Sequence, residues 1–219
     1  MNGNSKYNIP IEILIPLIGM LLFLVFYFKA AMIYPGGSQF FPSEEGFSFQ
    51  NNYLCDLLDS NTRSGAPNPS KSLARFALFL LCSCLTVLWY YIPKLFKKKG
   101  VPILIVRVAG ISALGTTLFL STAAHDLVIY ISGFIGLLAM VITVMELFKA
   151  GYQELFALGV FCLIIFLLNF YIYESGTLIM ILPAIQKITF VSFIGWFVLL
   201  DVSIYRKMRT PKKRINKDT

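Results

Sequence analysis

The sequence predicts an all-α polytopic membrane protein: a six-transmembrane-helix bundle with a long, ordered extracytoplasmic first loop. Three observations carry that reading. Of 219 residues, 57% are hydrophobic and only 14% are charged, whereas soluble domains carry about 25% charged residues. Six apolar runs approach or exceed the ~20 residues that a helix needs to cross about 30 Å of hydrocarbon. Those runs are unbroken, unlike barrel strands, which alternate polar and apolar over about 10 residues. A helix also satisfies its backbone amides internally, as a segment in lipid must.

The first run covers 9–33. It is longer than a signal-peptide core and is expected to stay as an anchor. Pro35, Gly36 and Gly37 end it and let the chain turn. The external loop, 34–72, is too long to be a bare connection. Its apolar residues, Phe40, Phe41, Phe47, Phe49, Tyr53, Leu54, Leu57 and Leu58, argue for order over disorder. Within "NNYLCDLLDS", Asn52, Cys55, Asp56 and Asp59 recur at helical spacing, opposite Tyr53, Leu54, Leu57 and Leu58. This predicts a short amphipathic helix from about Asn51 to Ser60. Gly65, Pro67 and Pro69 mark a turn-rich return, and Ser70 or Ser72 is placed to cap the second span.

The later spans are 73–92, 101–122, 127–148, 155–173 and 178–204, closing the 1–205 transmembrane domain before a basic cytoplasmic tail, 206–219. In the third, Ala109, Ala113 and Thr117 repeat every four residues beside Gly110 and Gly115, the composition of a packing helix. In the last, Pro183 marks where an interfacial turn meets the spanning part.

Orientation follows from the cations. Lys6, the Lys94, Lys97, Lys98 and Lys99 cluster, Lys149 and the tail residues from Arg206 to Lys217 alternate with loops poor in lysine and arginine. The positive-inside rule places both termini in the cytoplasm of a multi-pass cell-membrane protein. The net charge of +8 is thereby a topology signal, and no nucleic-acid partner is expected.

The scarce polar residues concentrate on the opposite side. Lys29, Arg75, His125, Asp126, Glu174, Gln186 and Lys187 lie near outer helix ends, and Asn169 is slightly deeper. Buried polar groups in lipid are costly and face the bundle to find partners, although single lysines and arginines also snorkel. Convergence under the folded loop predicts an outward-facing pocket. Its ligand-binding candidates are Lys29, Asn52, Cys55, Arg75, Asn169, Glu174, Gln186 and Lys187; its catalytic candidates are His125, Asp126 and Asp56. On the inner side, Arg107 is expected to pair with Glu146 or Asp201 as a structural clamp.

Chemical motifs are sparse. One histidine excludes a multi-histidine zinc site, and a mixed set of Cys55, Asp56, His125 and Asp126 lacks ligand spacing. No metal or cofactor is expected. The four cysteines make no disulfide framework. A Cys55–His125 nucleophile pair requires a thiol activated by its surroundings.

"YPGG", "NNYLCDLLDSNTRSGAPNP" and "HD" at the start of the fourth span resemble the pattern of the prokaryotic six-span membrane family catalogued as domain of unknown function 998. The resemblance covers nearly the whole chain. It implies a six-helix prokaryotic membrane protein and supplies no activity. The partners expected are membrane lipids and a small amphiphile. The favoured function is binding of a lipid headgroup or amphiphile in the outer pocket. A lipid-modifying hydrolase or transferase using His125 is the alternative, and a transporter or complex subunit the second. Dry stretches such as "LIIFLL" count against transport.

Overall fold

The computed structural model describes residues 11–97, 99–120 and 125–209, the side chain of His125 excepted. Lys6, Lys98, the connection 121–124 and the tail beyond Arg209 lie outside the described residues.

The described chain is mainly helical in its apolar runs. Its α-helices are α1 (Ile15–Met32), α2 (Lys71–Tyr91), α3 (Val101–Thr117), α4 (His125–Lys149), α5 (Gln153–Ser175) and α6 (Leu182–Arg209). Shorter 3-10 turns occupy Ile11–Leu14, Leu54–Leu58, Ile92–Leu95 and Ile179–Ile181. Among the described residues there is no strand, only isolated bridges between Gly36 and Glu45 and between Asn61 and Pro67.

Among the described residues, five helical segments are long and apolar enough to cross a membrane: Ile11–Met32, Lys71–Leu95, Asp126–Lys149, Gln153–Ser175 and Ile179–Arg209. The third run is shorter than its sequence suggests, because α3 stops at Thr117. There the Thr116 and Thr117 hydroxyls both donate to the Ala113 carbonyl, and Phe119 and Leu120 continue in single turns. Pro183 falls in the first turn of α6, where a missing amide donor costs nothing.

Large apolar side chains cover the outside of the bundle, among them Leu21, Phe134, Ile164 and Val191. Hydroxyls within the helices find a partner by bonding back one turn, as Ser83, Thr86, Thr143, Ser192 and Ser203 all do. Burial against lipid supplies little drive for helix association, so close packing must hold the bundle. Each helix packs on the next, and α6 returns to α1. Glycines permit close approach: Gly19 of α1 faces Cys84, Gly110 of α3 faces Trp89, and Gly159 of α5 faces Val144 and Trp196. Trp196 is fully buried there, its indole N–H donating to the Leu155 carbonyl at 2.9 Å.

The expected inner clamp does not form. The Arg107 guanidinium stacks on the Tyr90 ring at 4.7 Å. Glu146 is taken by Lys149, one turn along, at 2.6 Å. Asp201 is buried with its Oδ2 unpartnered. Arg107 is turned toward α2, so the acids on α4 and α6 find no cation in it.

Candidate functional site at the loop end of the bundle

The segment between α1 and α2 folds over the bundle end that carries the start of α2, the end of α5 and the start of α6. It begins with a reversal at Gly36 and Gly37, whose φ values of +133° and +86° are left-handed. A side chain on Gly36 would meet the Glu44 carbonyl at 2.2 Å, so the reversal needs glycine twice over. The Gly37 amide donates to Glu44 O at 2.7 Å and the Gly46 amide to Pro35 O at 2.9 Å.

The expected amphipathic helix is reduced to a five-residue 3-10 turn, Leu54–Leu58. Local side chains explain why. Asp56 Oδ2 accepts from the Tyr53 amide at 2.9 Å and from Asn52 Nδ2 at 3.0 Å. These bonds offer the backbone an alternative to a helix, and Tyr53 and Asp59 on either side are extended. Two residues of the polar side point inward, Asn52 at 0% and Asp56 at 1% exposed, while the Asp59 side chain is half exposed.

Asp56 is the hub of this loop. Its Oδ1 accepts from Arg63 Nε at 2.9 Å, so both carboxylate oxygens are engaged. Asn52 extends the network: Nδ2 also donates to Gly37 O at 2.7 Å, and Oδ1 accepts from the Ser48 amide at 2.9 Å. Asn68 closes the far side, Nδ2 donating to the Asp59 carbonyl at 2.9 Å while Oδ1 accepts from the Ser70 amide and hydroxyl. Ser70 therefore spends its hydroxyl on the loop and makes no side-chain cap on α2.

Four bonds fasten the loop to the helices. Lys187 Nζ donates to Asn52 O, and Gln186 Oε1 accepts from the Leu54 amide at 2.9 Å. Arg75 Nε donates to Leu58 O at 2.9 Å, and the Tyr27 hydroxyl donates to Leu54 O. Apolar contacts complete the seat, Leu57 and Leu58 packing with Ala30, Ala31 and Ala74.

The remaining candidates divide. Lys29 is exposed at the end of α1, outside this network. Asn169 donates to Thr189 Oγ1, joining α5 to α6. Glu174 accepts from the Tyr130 hydroxyl at 2.6 Å, and Tyr173 donates to Asp126 at 3.4 Å, forming an exposed rim between α4 and α5. His125 opens α4 beside Asp126; its side chain lies outside the described residues. The polar groups thus do not share one pocket: they separate into a buried loop junction, the Asn169–Thr189 contact and an exposed tyrosine–carboxylate rim, with Lys29 outside all three.

Sequence reasoning missed Arg63, Asn68 and Tyr27. Asn68 had a local signal, an asparagine before proline and two residues from a serine, which suits a side-chain turn. Tyr27 and Arg63 had none.

Cys55 is half-buried, and burial first, then the Asp56 charge, pushes its thiol up to about 12. Tyr53 is pushed up to about 12 by the same two causes in the same order. Holding the thiol neutral stabilises the fold fully below the ordinary value of 9.0, and that contribution is lost as pH rises toward 12. A neutral thiol is a poor nucleophile. Cys55 in the folded protein should therefore resist iodoacetamide at neutral pH, with labelling rising only in strong base. Rapid modification at pH 7, followed by peptide mapping, would show an activated thiol instead. Among the described residues no group of three or more His, Cys, Asp and Glu side chains is arranged to hold a metal.

No family model matches the chain, and no curated protein or solved structure is significantly similar to it.

Proposed function

We propose that this chain is a six-span cell-membrane protein with both termini in the cytoplasm, of the family it resembles, and that its loop end binds an anionic lipid headgroup or small amphiphile from outside. One observation carries the reading. Lys187 is a half-buried ammonium seated on the Asn52 and Pro183 carbonyls, with its Nζ 5.6 Å from the centre of the Phe47 ring. Among the described residues no carboxylate is in ion-pair contact with it. Asp56, which would be its natural counterion, is instead consumed by Arg63, Asn52 and the Tyr53 amide.

A positive charge held at the membrane boundary and left without a contacting acid attracts an anion. Arg75 is half-buried on the same end, with one guanidinium nitrogen committed to Leu58 O. The six-span reading adds α3 to the five longer segments. The lysine-rich stretch near Lys94 and Lys97 then falls on the cytoplasmic side with Lys149 and Arg206. Asp56, with both oxygens engaged, supports the loop rather than a reaction, which favours binding over the enzymatic alternative.

The test is lipid selectivity. Protein purified in mild detergent should retain phosphatidylglycerol in preference to phosphatidylcholine when the two are offered together and read by native mass spectrometry. Lys187→Gln keeps an N–H donor for the loop carbonyl but removes the charge. It should reduce that preference about five-fold, the equivalent of about 1 kcal/mol for one cation near a charged membrane surface. Wild-type protein with no preference, or a variant that keeps it, would overturn the reading.

A further inference from the structure

A second site lies between the helices, with no residue of the loop in its lining. A cavity of about 140 Å³ opens among α2 to α6, walled by Gly110 and Ala113 of α3, Gly136 and Met140 of α4, Phe166 of α5 and Trp196 of α6. Four of these helices contribute from near their midpoints. The cavity is thus level with the middle of the bundle.

Its walls are mostly apolar. The two hydroxyls on the wall are spent on their own helices, Thr117 on the Ala113 carbonyl at 2.8 Å and Ser132 on the Val128 carbonyl at 2.6 Å. Among the described residues no charged side chain lines it. An apolar cavity of about 150 Å³ stays dry in other proteins and takes up a molecule the size of benzene. Gly133, Gly136 and Leu137 on the α4 wall are half-exposed, so the cavity communicates with the outside of the bundle. In a membrane that outside is hydrocarbon.

We infer that this cavity admits the terminal part of one phospholipid acyl chain, entering past the glycines of α4. Chain ends lie at the depth where the helix midpoints place the cavity. Void-lining atoms lose their dispersion partners, and a methylene chain restores them. A charged headgroup finds no counterion among the described wall residues, which are mostly apolar. The inference stands on helix packing and membrane location, and does not depend on the headgroup reading at the loop end.

The protein carries its own reporter. Its two tryptophans, Trp89 and Trp196, both line the cavity, and they are 5% and 0% exposed. Lipid around the bundle does not touch them, whereas a chain inside the cavity does. The full chain is reconstituted in phosphatidylcholine vesicles brominated either near the chain terminus or near the glycerol, and indole emission is measured. The expected result is stronger quenching by the chain-end bromines. Ala113→Leu, which fills the space, should abolish the difference.

If Ala113→Leu fails to fold, Gly133→Ala with Gly136→Ala serves instead. Added methyls there meet Phe166 at 3.7 Å and Ala113 at 3.6 Å, ordinary contacts that narrow the entrance without a clash. Equal quenching by the two lipids, or undiminished quenching in a folded cavity-filling variant, would overturn the proposal. Quenching by a brominated free fatty acid but not by the phospholipid would overturn it as well.

Discussion

Asp56→Ala should release the loop, lowering stability by about 2–4 kcal/mol as a sum of lost buried hydrogen bonds. Asp56 is 1% exposed and accepts three bonds, from Arg63, Asn52 and the Tyr53 amide. The losses are unequal. Arg63 is well exposed and turns to water at little cost, so its ion pair contributes modestly. Asn52 and the Tyr53 amide are buried, and a buried donor left without a partner bears the full desolvation penalty. Asp56→Asn should cost less, since it keeps the volume and one acceptor oxygen.

The measurement is limited proteolysis of detergent-solubilised protein combined with thermal unfolding. Asp56→Ala should make the stretch between α1 and α2 cleavable at temperatures where the wild-type loop resists, while the helices stay intact. The loop has its own hydrogen-bond network and few contacts to spare, so it opens as a unit. Unchanged protease resistance would mean that the apolar seat of Leu57 and Leu58 holds the loop without the carboxylate.

The second large effect belongs to the helix contacts. Gly110→Ala would place a methyl 2.2 Å from the ring of Trp89. Trp89 is buried and packed edge-on against Phe197, with ring centroids 6.3 Å apart, so making room for the methyl means moving a large packed ring. Gly19→Ala is equally tight, meeting Cys84 Sγ at 2.1 Å. Forcing atoms into such contacts costs about 1–3 kcal/mol, occasionally more. Gly136→Ala provides the contrast, because its methyl has room and alanine gains up to about 1 kcal/mol over glycine in a helix. Midpoints of thermal unfolding should rank Gly136→Ala at or above wild type, and Gly19→Ala and Gly110→Ala well below it. Equal midpoints for Gly110→Ala and Gly136→Ala would show that the α2–α3 contact is looser than described.

Legibility in the sequence varied with the range of the interaction. The apolar runs translated into helices because helix formation in lipid is decided within each segment. The pattern in "NNYLCDLLDS" located the functional-looking part of the loop yet misjudged its shape. The i, i+3, i+4 spacing that suits a helix face also suits a carboxylate folding back on its own amide, and Asp56 does the latter. The Arg107 clamp failed for a related reason. Opposite charges on three helices suggest pairing, but the rotation of α3 gives Arg107 to Tyr90.

The sequence by itself determined that this is a helical protein suited to a membrane, with a structured segment between its first two helices. Both are properties of runs along one dimension, where apolar length and turn residues act locally. Only the tertiary structure decided which polar groups meet. The bonds that seat the loop on α6 join residues 132 and 135 positions apart, and they end on backbone carbonyls or amides, which every residue carries. Such partners leave no mark in residue identity. Their meeting depends on the register and rotation of packed helices, which steric fit at Gly19, Gly110 and Gly159 sets.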